Sequence, residues 1–468
     1  MKKKRFDISN ELLGNIFLLI SILCCLYIIL SDVNSDIFFI LANGRYILEN
    51  DNLFPTTLFY SMHDNLPTVI QQPLFSVISY LLYSLFGFGS IRMFSCICML
   101  VSCVLLLMIF RDTKARYTRL MITAVYLLMF STIFCGRPVQ LSLIAFLLEI
   151  YLLDKGIFDA SPIMILKAVI LFALSMLVLL SHAAFYPFFI ALLLFFVIRN
   201  RVVYSQNTVV YLGTVVLSFI FSFITPYGYR LPFYVFLSYP AANNGGFIKE
   251  LSRPPVLSSY GIFLIIMLVI LIKNLDKVPL LDALLVFVGS ILLALHVRNF
   301  WLFGVFTIPF ICQLVSDKDL HPVQTKKGFP VPICVFIALC VAIVTFLGDV
   351  EVKDSSVTPV MAAEYLQDKD GNVFTEFNNG AYFEFCGLNS FIDARPELYS
   401  KAISQKADIY SEYLSLLSDH DFDYNDFIEK YDFKYMVATK DTPLYLYLKI
   451  SGFERVVDGN GYALFEVY

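Results

Sequence analysis

Two carboxylates, Asp32 and Asp36, directly follow the first long apolar run of the chain, and other polar side chains stand where apolar runs end: Asn43, Arg45, Arg137, His182, Glu250 and Arg298. A carboxylate at the rim of a membrane helix is costly to keep there and is a functional candidate on that ground alone. On a helix continuing past Asp32, spacings of four and seven put Asp32, Asp36 and Asn43 on one face, a polar stripe turned away from lipid. Arg45 lies nine residues after Asp36, about 180° around that helix. It is there either a contact to a neighbouring helix or a phosphate anchor, and snorkelling is the plain alternative. Arg137 and Arg298 fall at span ends where a positive charge has no topological reason to be. A guanidinium grips phosphate with a two-pronged fork; the plain alternative is pairing with a loop carboxylate such as Glu250. His182 stands beside Ser181 at a helix end, and no second His or Cys stands at metal-ligand spacing, which argues against zinc.

The elements that must carry these groups are membrane helices. The 468 residues are 58% hydrophobic and only 15% charged, against about 25% charged in a soluble domain. Apolar segments near 12–31, 90–110, 119–135, 139–153, 163–181, 183–198, 208–225, 258–273, 278–296, 299–315 and 331–348 predict about eleven spans. Basic residues at 1–5, Arg111–Arg119, Arg199–Arg201, Lys273–Lys277 and Lys318–Lys327 then all fall inside, as the positive-inside rule requires. Counting 70–87 as a further span would break that rule. It is read as a helix lying in the interface, opened by Pro73 and closed by Gly87 and Gly89. The N-terminal helix has basic flanks and no small-residue cleavage site behind it, which marks a retained signal-anchor. The multi-pass chain is thus expected to have a cytoplasmic N-terminus.

Charge divides the chain. Residues 349–468 hold 22 acidic and 10 basic side chains, a net of −12, while residues 1–348 hold 16 and 24, a net of +8. The first 348 residues read as a lipid-embedded body with two outer loops, 32–89 and the aromatic-rich 226–257. The remainder reads as a small acidic α/β domain on the extracytoplasmic side. In it, Asn372–Phe377 and Tyr382–Phe385 read as strands around an Asn-Asn-Gly turn, 405–431 as helical, and Tyr435–Ala438 and Tyr462–Val467 as strands. Its acidity argues against nucleic acid as a partner. Nine of the ten cysteines lie in apolar segments, which excludes a disulfide framework.

The order of a span, Asp36, Asn43-Gly44-Arg45-Tyr46, Pro55, Gln72-Pro73 and Arg92 resembles the first outer loop of the GT-C glycosyltransferases. These membrane enzymes, such as protein mannosyltransferases and lipid A aminoarabinose transferases, use polyprenyl-phosphate sugars. Arg137-Pro138, His182, Pro226-Tyr227-Gly228, Glu250, Arg298, Gly380-Ala-Tyr382 and Ile392-Asp393-Ala-Arg395 extend the resemblance over most of the chain. It implies a GT-C-like helical body and transfer of a sugar, with inversion, from a lipid-linked donor to a glycan, lipid or protein acceptor. By resemblance Asp36 is the base that takes the acceptor's proton, with Asp32 and Glu250 as further acids. Asn43, Arg45, Arg137, His182 and Arg298 are the substrate- and phosphate-binding candidates, the cations stabilising charge on the departing phosphate. Related enzymes often carry an acid just before the interfacial helix, where this chain has Gln71 and Gln72. That departure leaves a divalent metal, Mg²⁺ or Mn²⁺, an open question. The 226–257 loop, with Asn243-Asn244-Gly245-Gly246 as a hinge, reads either as a cover over the lipid-linked sugar or as an aromatic belt. Asp393 and Arg395 read as a structural ion pair.

Two other classes stay open: a transporter or flippase of lipid-linked glycans, and a non-catalytic scaffold of the same fold. A transporter should place ionisable groups near the bilayer midplane or in repeated halves. The charges noted above gather at one face, and no repeat is visible.

Overall fold

The computed structural model describes residues 2–31, 35–113, 115–154, 161–203, 208–242, 248–316, 352–406, 408–419 and 421–467. The expected span 331–348, the linker Lys318–Lys327, the hinge Asn243–Gly246 and Asp32 lie outside them. In chain order the helices are α1 (Lys2–Ser31), α2 (Asp36–Glu49), α3 (Pro73–Phe86), α4 (Phe88–Ile109), α5 (Arg116–Met129), α6 (Val139–Leu153) and α7 (Ser161–His182). Then come α8 (Tyr186–Val203), α9 (Val209–Phe221), α10 (Tyr234–Ala242), α11 (Ser259–Lys273), α12 (Leu280–Leu295) and α13 (Phe300–Val315). The C-terminal region adds α14 (Val360–Leu366), α15 (Gly380–Phe385), α16 (Ile409–Ser418), α17 (Tyr424–Tyr431) and α18 (Pro443–Ile450), with strands β1 (Asn372–Phe374), β2 (Phe433–Thr439), β3 (Glu454–Asp458) and β4 (Tyr462–Glu466).

These elements form two compact units. Unit one comprises 1–33, 88–222 and 248–348, and unit two comprises 34–87, 223–247 and 349–468. Each is described on its own.

Unit one is a helical bundle with an inverted polarity. Helix α9 buries Tyr211, Thr214 and Ser218 and exposes Val209, Leu212, Val216, Leu217 and Ile220. In water the arrangement would be the reverse, so the surroundings of this helix are apolar. Among the described residues, four stretches are long and apolar enough to cross a membrane: Glu11–Leu30, Phe88–Asp112, Pro162–Val203 and Val297–Val315. Val139–Leu153, Val209–Phe221, Ser259–Lys273 and Leu280–Leu295 are shorter apolar helices. Phe146 packs on Phe189 and Asp154 binds Arg199, so α6 and α8 run in the same direction. Helix α7 between them must carry the chain back, and the helix breaks at His182, whose φ of −165° and ψ of 74° leave the helical region. Helices α12 and α13 form a hairpin in which Gly289 sits against Phe303 and Phe306.

Arg199, read from the sequence as part of a basic linker, lies within α8 and pairs with two carboxylates. It is fully buried near the end of α8, with Nη1 on Asp154 Oδ1 at 3.0 Å and Nε on Asp282 Oδ1 at 2.8 Å. The guanidinium therefore ties together the end of α6, the end of α8 and the start of α12.

Unit two joins α2, α3 and α10 to the mixed domain. Its sheet has the order β1-β2-β4-β3, with β1 parallel to β2 and the other pairs antiparallel. Phe374, Phe391, Phe427 and Phe433 form its core, with ring centroids 5.3–5.7 Å apart. Helix α3 has Pro73 in its first turn and stops at Gly87, whose φ of 67° suits glycine. It too is inverted, burying Ser76 and Ser79 while Leu81, Leu85 and Phe86 are exposed. Gly44 lets α2 meet it closely, because a Cβ there would fall 2.2 Å from Ser76 O.

The expected strand Tyr382–Phe385 is instead part of helix α15. Tyr382 and Phe385, three residues apart, both reach Phe38, at 5.0 and 5.5 Å, and only a helix puts such a pair on one side. Gly380 opens this helix where a Cβ would overlap Ile392 O. Of the expected stripe Asp32, Asp36 and Asn43, Asp32 lies outside the described residues, and α2 carries Asp36 at its first position and Asn43 seven residues on.

Candidate functional site

The candidate residues divide between the units. In unit one they gather where α6 begins, α7 ends and α12 turns into α13. The loop between α11 and its preceding segment is tied to that turn by His296 Nδ1, 2.6 Å from Leu251 O, and by Val297 N–H donating to Ser252 O at 2.9 Å. This brings Glu250 to Arg137, whose Nη1 donates to Glu250 Oε1 at 3.0 Å. The plain alternative for Arg137, an ion pair with Glu250, is therefore the arrangement observed.

Burial alone would raise the pKa of Glu250, but the guanidiniums of Arg137 and Arg298 outweigh it and hold the carboxyl below its ordinary value. Two cations thus act on one anion, a net local charge of +1. His182 is buried within the field of the same two arginines. Its ring packs on Phe185 at 4.6 Å, and Phe185 packs on Trp301 at 4.6 Å. Further polar groups belong to the same helix ends, Gln140 and Asn299 among them without a sequence signal. Gln140, Ser181 and Asn299 are buried, and Gln140 Oε1 and Nε2, Ser181 Oγ, His182 Nδ1 and Asn299 Oδ1 have no hydrogen-bond partner among the described residues. No single-sequence signal marks Gln140 or Asn299 beyond an amide near the end of an apolar run.

In unit two, Asp36 is the first residue of α2 and is partly exposed, where a carboxylate suits the positive helix terminus. Asn43, one side of α2 further on, is buried and its Oδ1 accepts from Arg395 Nη1 at 3.1 Å. Arg395 is clamped by Glu384 at 2.6 Å and by both oxygens of Asp393 through Nε at 3.0 Å. Burial opposes charge on Arg395, but Asp393 and Glu384 more than compensate and its pKa rises well above the usual value. Burial raises the pKa of Glu384 well above normal despite Arg395, whereas for Asp393 burial is overcome by Arg395 and its pKa falls. Arg395 thus pulls Asp393 down while burial pushes Glu384 up, so the two carboxyls of one clamp are shifted in opposite directions. The Asp393–Arg395 pair expected from the sequence is present, and it reaches back to Asn43.

Arg45 is turned to structure rather than to an open space. Its Nη1 and Nη2 donate to Phe385 O at 3.0 Å and Glu384 O at 2.9 Å, carbonyls at the end of α15, and Nε donates to Tyr60 Oη at 3.1 Å. A cation capping a helix C-terminus is stabilising. The aromatic segment before α10 is also fixed. Tyr227 Oη donates to Pro55 O at 2.7 Å, Tyr234 Oη to Glu397 Oε1 at 2.7 Å, and Arg230 Nη2 to Ile403 O at 2.6 Å. These two tyrosines are buried, so they serve neither as a lid nor as an interfacial belt, while Tyr229 and Phe236 are exposed.

Among the described residues no three His, Cys, Asp or Glu side chains converge to hold a metal ion. The residues where the resemblance would place an acid, Gln71 and Gln72, are amides. No protein-family profile matches the chain, and no curated protein matches it.

Proposed function

We propose that the chain is a GT-C-type membrane glycosyltransferase, moving a sugar from a polyprenyl-phosphate donor to an acceptor hydroxyl on the extracytoplasmic face. The observation that carries this reading is the cluster of Arg137, Arg298 and Glu250 at the end of the bundle where α6 begins and α12 turns into α13, with two cations acting on one anion. A fixed guanidinium pair stabilises the negative charge that grows on a phosphate as its sugar departs. Asp36 is assigned the proton of the acceptor hydroxyl, which attacks the anomeric carbon from the side opposite the leaving phosphate and inverts it. Arg45 and Asn43 are assigned structural parts: one caps α15 and the other holds Arg395.

Eleven spans belong to this reading. The 42-residue stretch Pro162–Val203 would be about 63 Å long as one helix, twice the apolar thickness of a bilayer. Its break at His182 and the shared direction of α6 and α8 support two passes. The buried triad Asp154–Arg199–Asp282 brings together three helix ends that this topology assigns to the cytoplasmic side.

The transporter reading draws on one observation. Glu149, within α6, is fully buried, and neither carboxylate oxygen has a hydrogen-bond partner among the described residues. An ionisable group inside a span is a common mark of a transport path. Purified protein in nanodiscs, given a labelled polyprenyl-phosphate hexose and a crude envelope acceptor, separates the two. Release of free polyprenyl phosphate with label in the acceptor supports the transferase, and label that changes leaflet while staying on its lipid supports the transporter.

A further inference from the structure

Beside the two arginines, the same end of unit one carries uncharged groups that a phosphate does not explain. Gln140 lies in the first turn of α6, its N–H donating to Arg137 O at 3.3 Å. Ser181 and His182 end α7, which packs on α6. Asn299 follows Arg298 in the turn into α13, and the His182–Phe185–Trp301 ring contacts bind these elements to one another. The orientation of Asn299 is fixed, since its Nδ2 donates to Leu292 O at 2.9 Å and leaves Oδ1 as the open acceptor. Open acceptors at Asn299 Oδ1 and Gln140 Oε1 repel phosphate oxygens. Together with the donor at Gln140 Nε2 and the hydroxyl of Ser181 they match a group that donates and accepts at once, which is what a sugar hydroxyl does. A buried polar atom left without a partner is costly, so a site keeping five of them is stabilised when a matching ligand arrives.

We infer that Gln140, Ser181, His182 and Asn299 form a neutral recognition site for the hydroxyls of a hexose, adjoining the phosphate-binding arginines. The site rests on the proposed function for its phosphate half only; the selection of an uncharged, hydroxyl-rich ring comes from the open amide and hydroxyl atoms. Each neutral hydrogen bond contributes modestly, so two or three of them give the hexose-bearing lipid about a tenfold advantage over the bare phosphate.

The probes are farnesyl phosphate and farnesyl-phosphate glucose, mannose and galactose, titrated by native mass spectrometry onto the full chain in nanodiscs. At least one hexose probe is expected to bind about tenfold tighter than farnesyl phosphate. Gln140→Met and Asn299→Leu should each erase that advantage and leave the affinity for farnesyl phosphate unchanged, and Gln140→Met, which removes only open polar atoms, should also raise the melting temperature of the ligand-free protein. Arg137→Gln should weaken every probe. If farnesyl phosphate binds but no hexose adds affinity, or the advantage survives in both amide variants, the sugar site is wrong and the phosphate reading stands. If no probe binds at all, both are overturned. If Gln140→Met loses the advantage but melts lower than wild type, the amide is structural and the assignment also fails.

Discussion

Glu250→Gln should tighten phosphate binding, and its size follows from the geometry. A phosphate must compete with Glu250 for Arg137, whose Nη1 lies 3.0 Å from Glu250 Oε1. At that separation Coulomb's law gives about 1.4 kcal/mol in water and about four times more at an effective dielectric of 20. The side chains are 30% and 48% exposed, so solvent screening limits the pair to about 0.5–1 kcal/mol. Removing the carboxylate therefore lowers the Kd for farnesyl phosphate about two- to fivefold. The gain should fade toward 1 M salt, where the screening length is about 3 Å.

The pH dependence has a definite sign. The pKa of Glu250 lies below its ordinary carboxyl value because Arg137 and Arg298 outweigh burial. The carboxylate's own titration therefore lies below neutral pH, and between pH 7 and 8, above the phosphate monoester's second pKa of about 6, the difference between wild type and variant stays flat. It shrinks first as the phosphate gains a proton and again as pH falls through the lowered pKa of Glu250. Isothermal titration across salt and pH checks this. Unchanged or weaker binding by Glu250→Gln would refute the competition, as would a difference that disappears between pH 8 and 7.

Three further outcomes follow. Arg395→Met strands the Asp393 carboxylate in a buried site and should cost about 3–5 kcal/mol of stability, read as earlier thermal or proteolytic opening. The pH signs differ within this network: the depressed pKa of Asp393 gives stability that is lost as pH falls through its folded value, while the raised pKa of Glu384 makes stability fall as pH climbs above the unfolded value, a slope that Glu384→Gln removes. Gly44→Ala forces a Cβ to within 2.2 Å of Ser76 O and should destabilise unit two by about 1–3 kcal/mol, seen as increased protease sensitivity. In a chain otherwise free of cysteine, Cys placed at Asp112 and at Asp423 should differ in intact cells, with a membrane-impermeant maleimide labelling only the second; labelling of both or only the first contradicts the eleven-span topology.

The helices were legible because apolar runs broken by Arg, Pro and Gly are local signals. Gly87 and Pro73 bound α3 where the sequence puts them. Tyr382–Phe385 was not legible, because four alternating residues fit a strand as well as a helix and the deciding partner, Phe38, is more than 300 residues away in sequence. Arg199 reads as a linker charge until Asp154 and Asp282 are brought to it by packing. The Glu250–Arg137 contact was readable as an alternative, since an outer-loop acid and an arginine at a span end are natural partners. Gln140, Ser181 and Asn299 carry no pattern of their own; burial without a partner singles them out, and that exists only in three dimensions. Glu149 stood in the sequence as an acid inside an apolar run, so charge is not confined to one face as first expected.

The central claim rests on Asp36 as a base. The most direct test compares surface and lipid-linked glycans of deletion cells carrying wild-type protein or Asp36→Asn at matched expression. The account predicts that the variant matches the deletion, with one glycan missing and its lipid-linked sugar donor accumulating. Full restoration of that glycan by Asp36→Asn would contradict it.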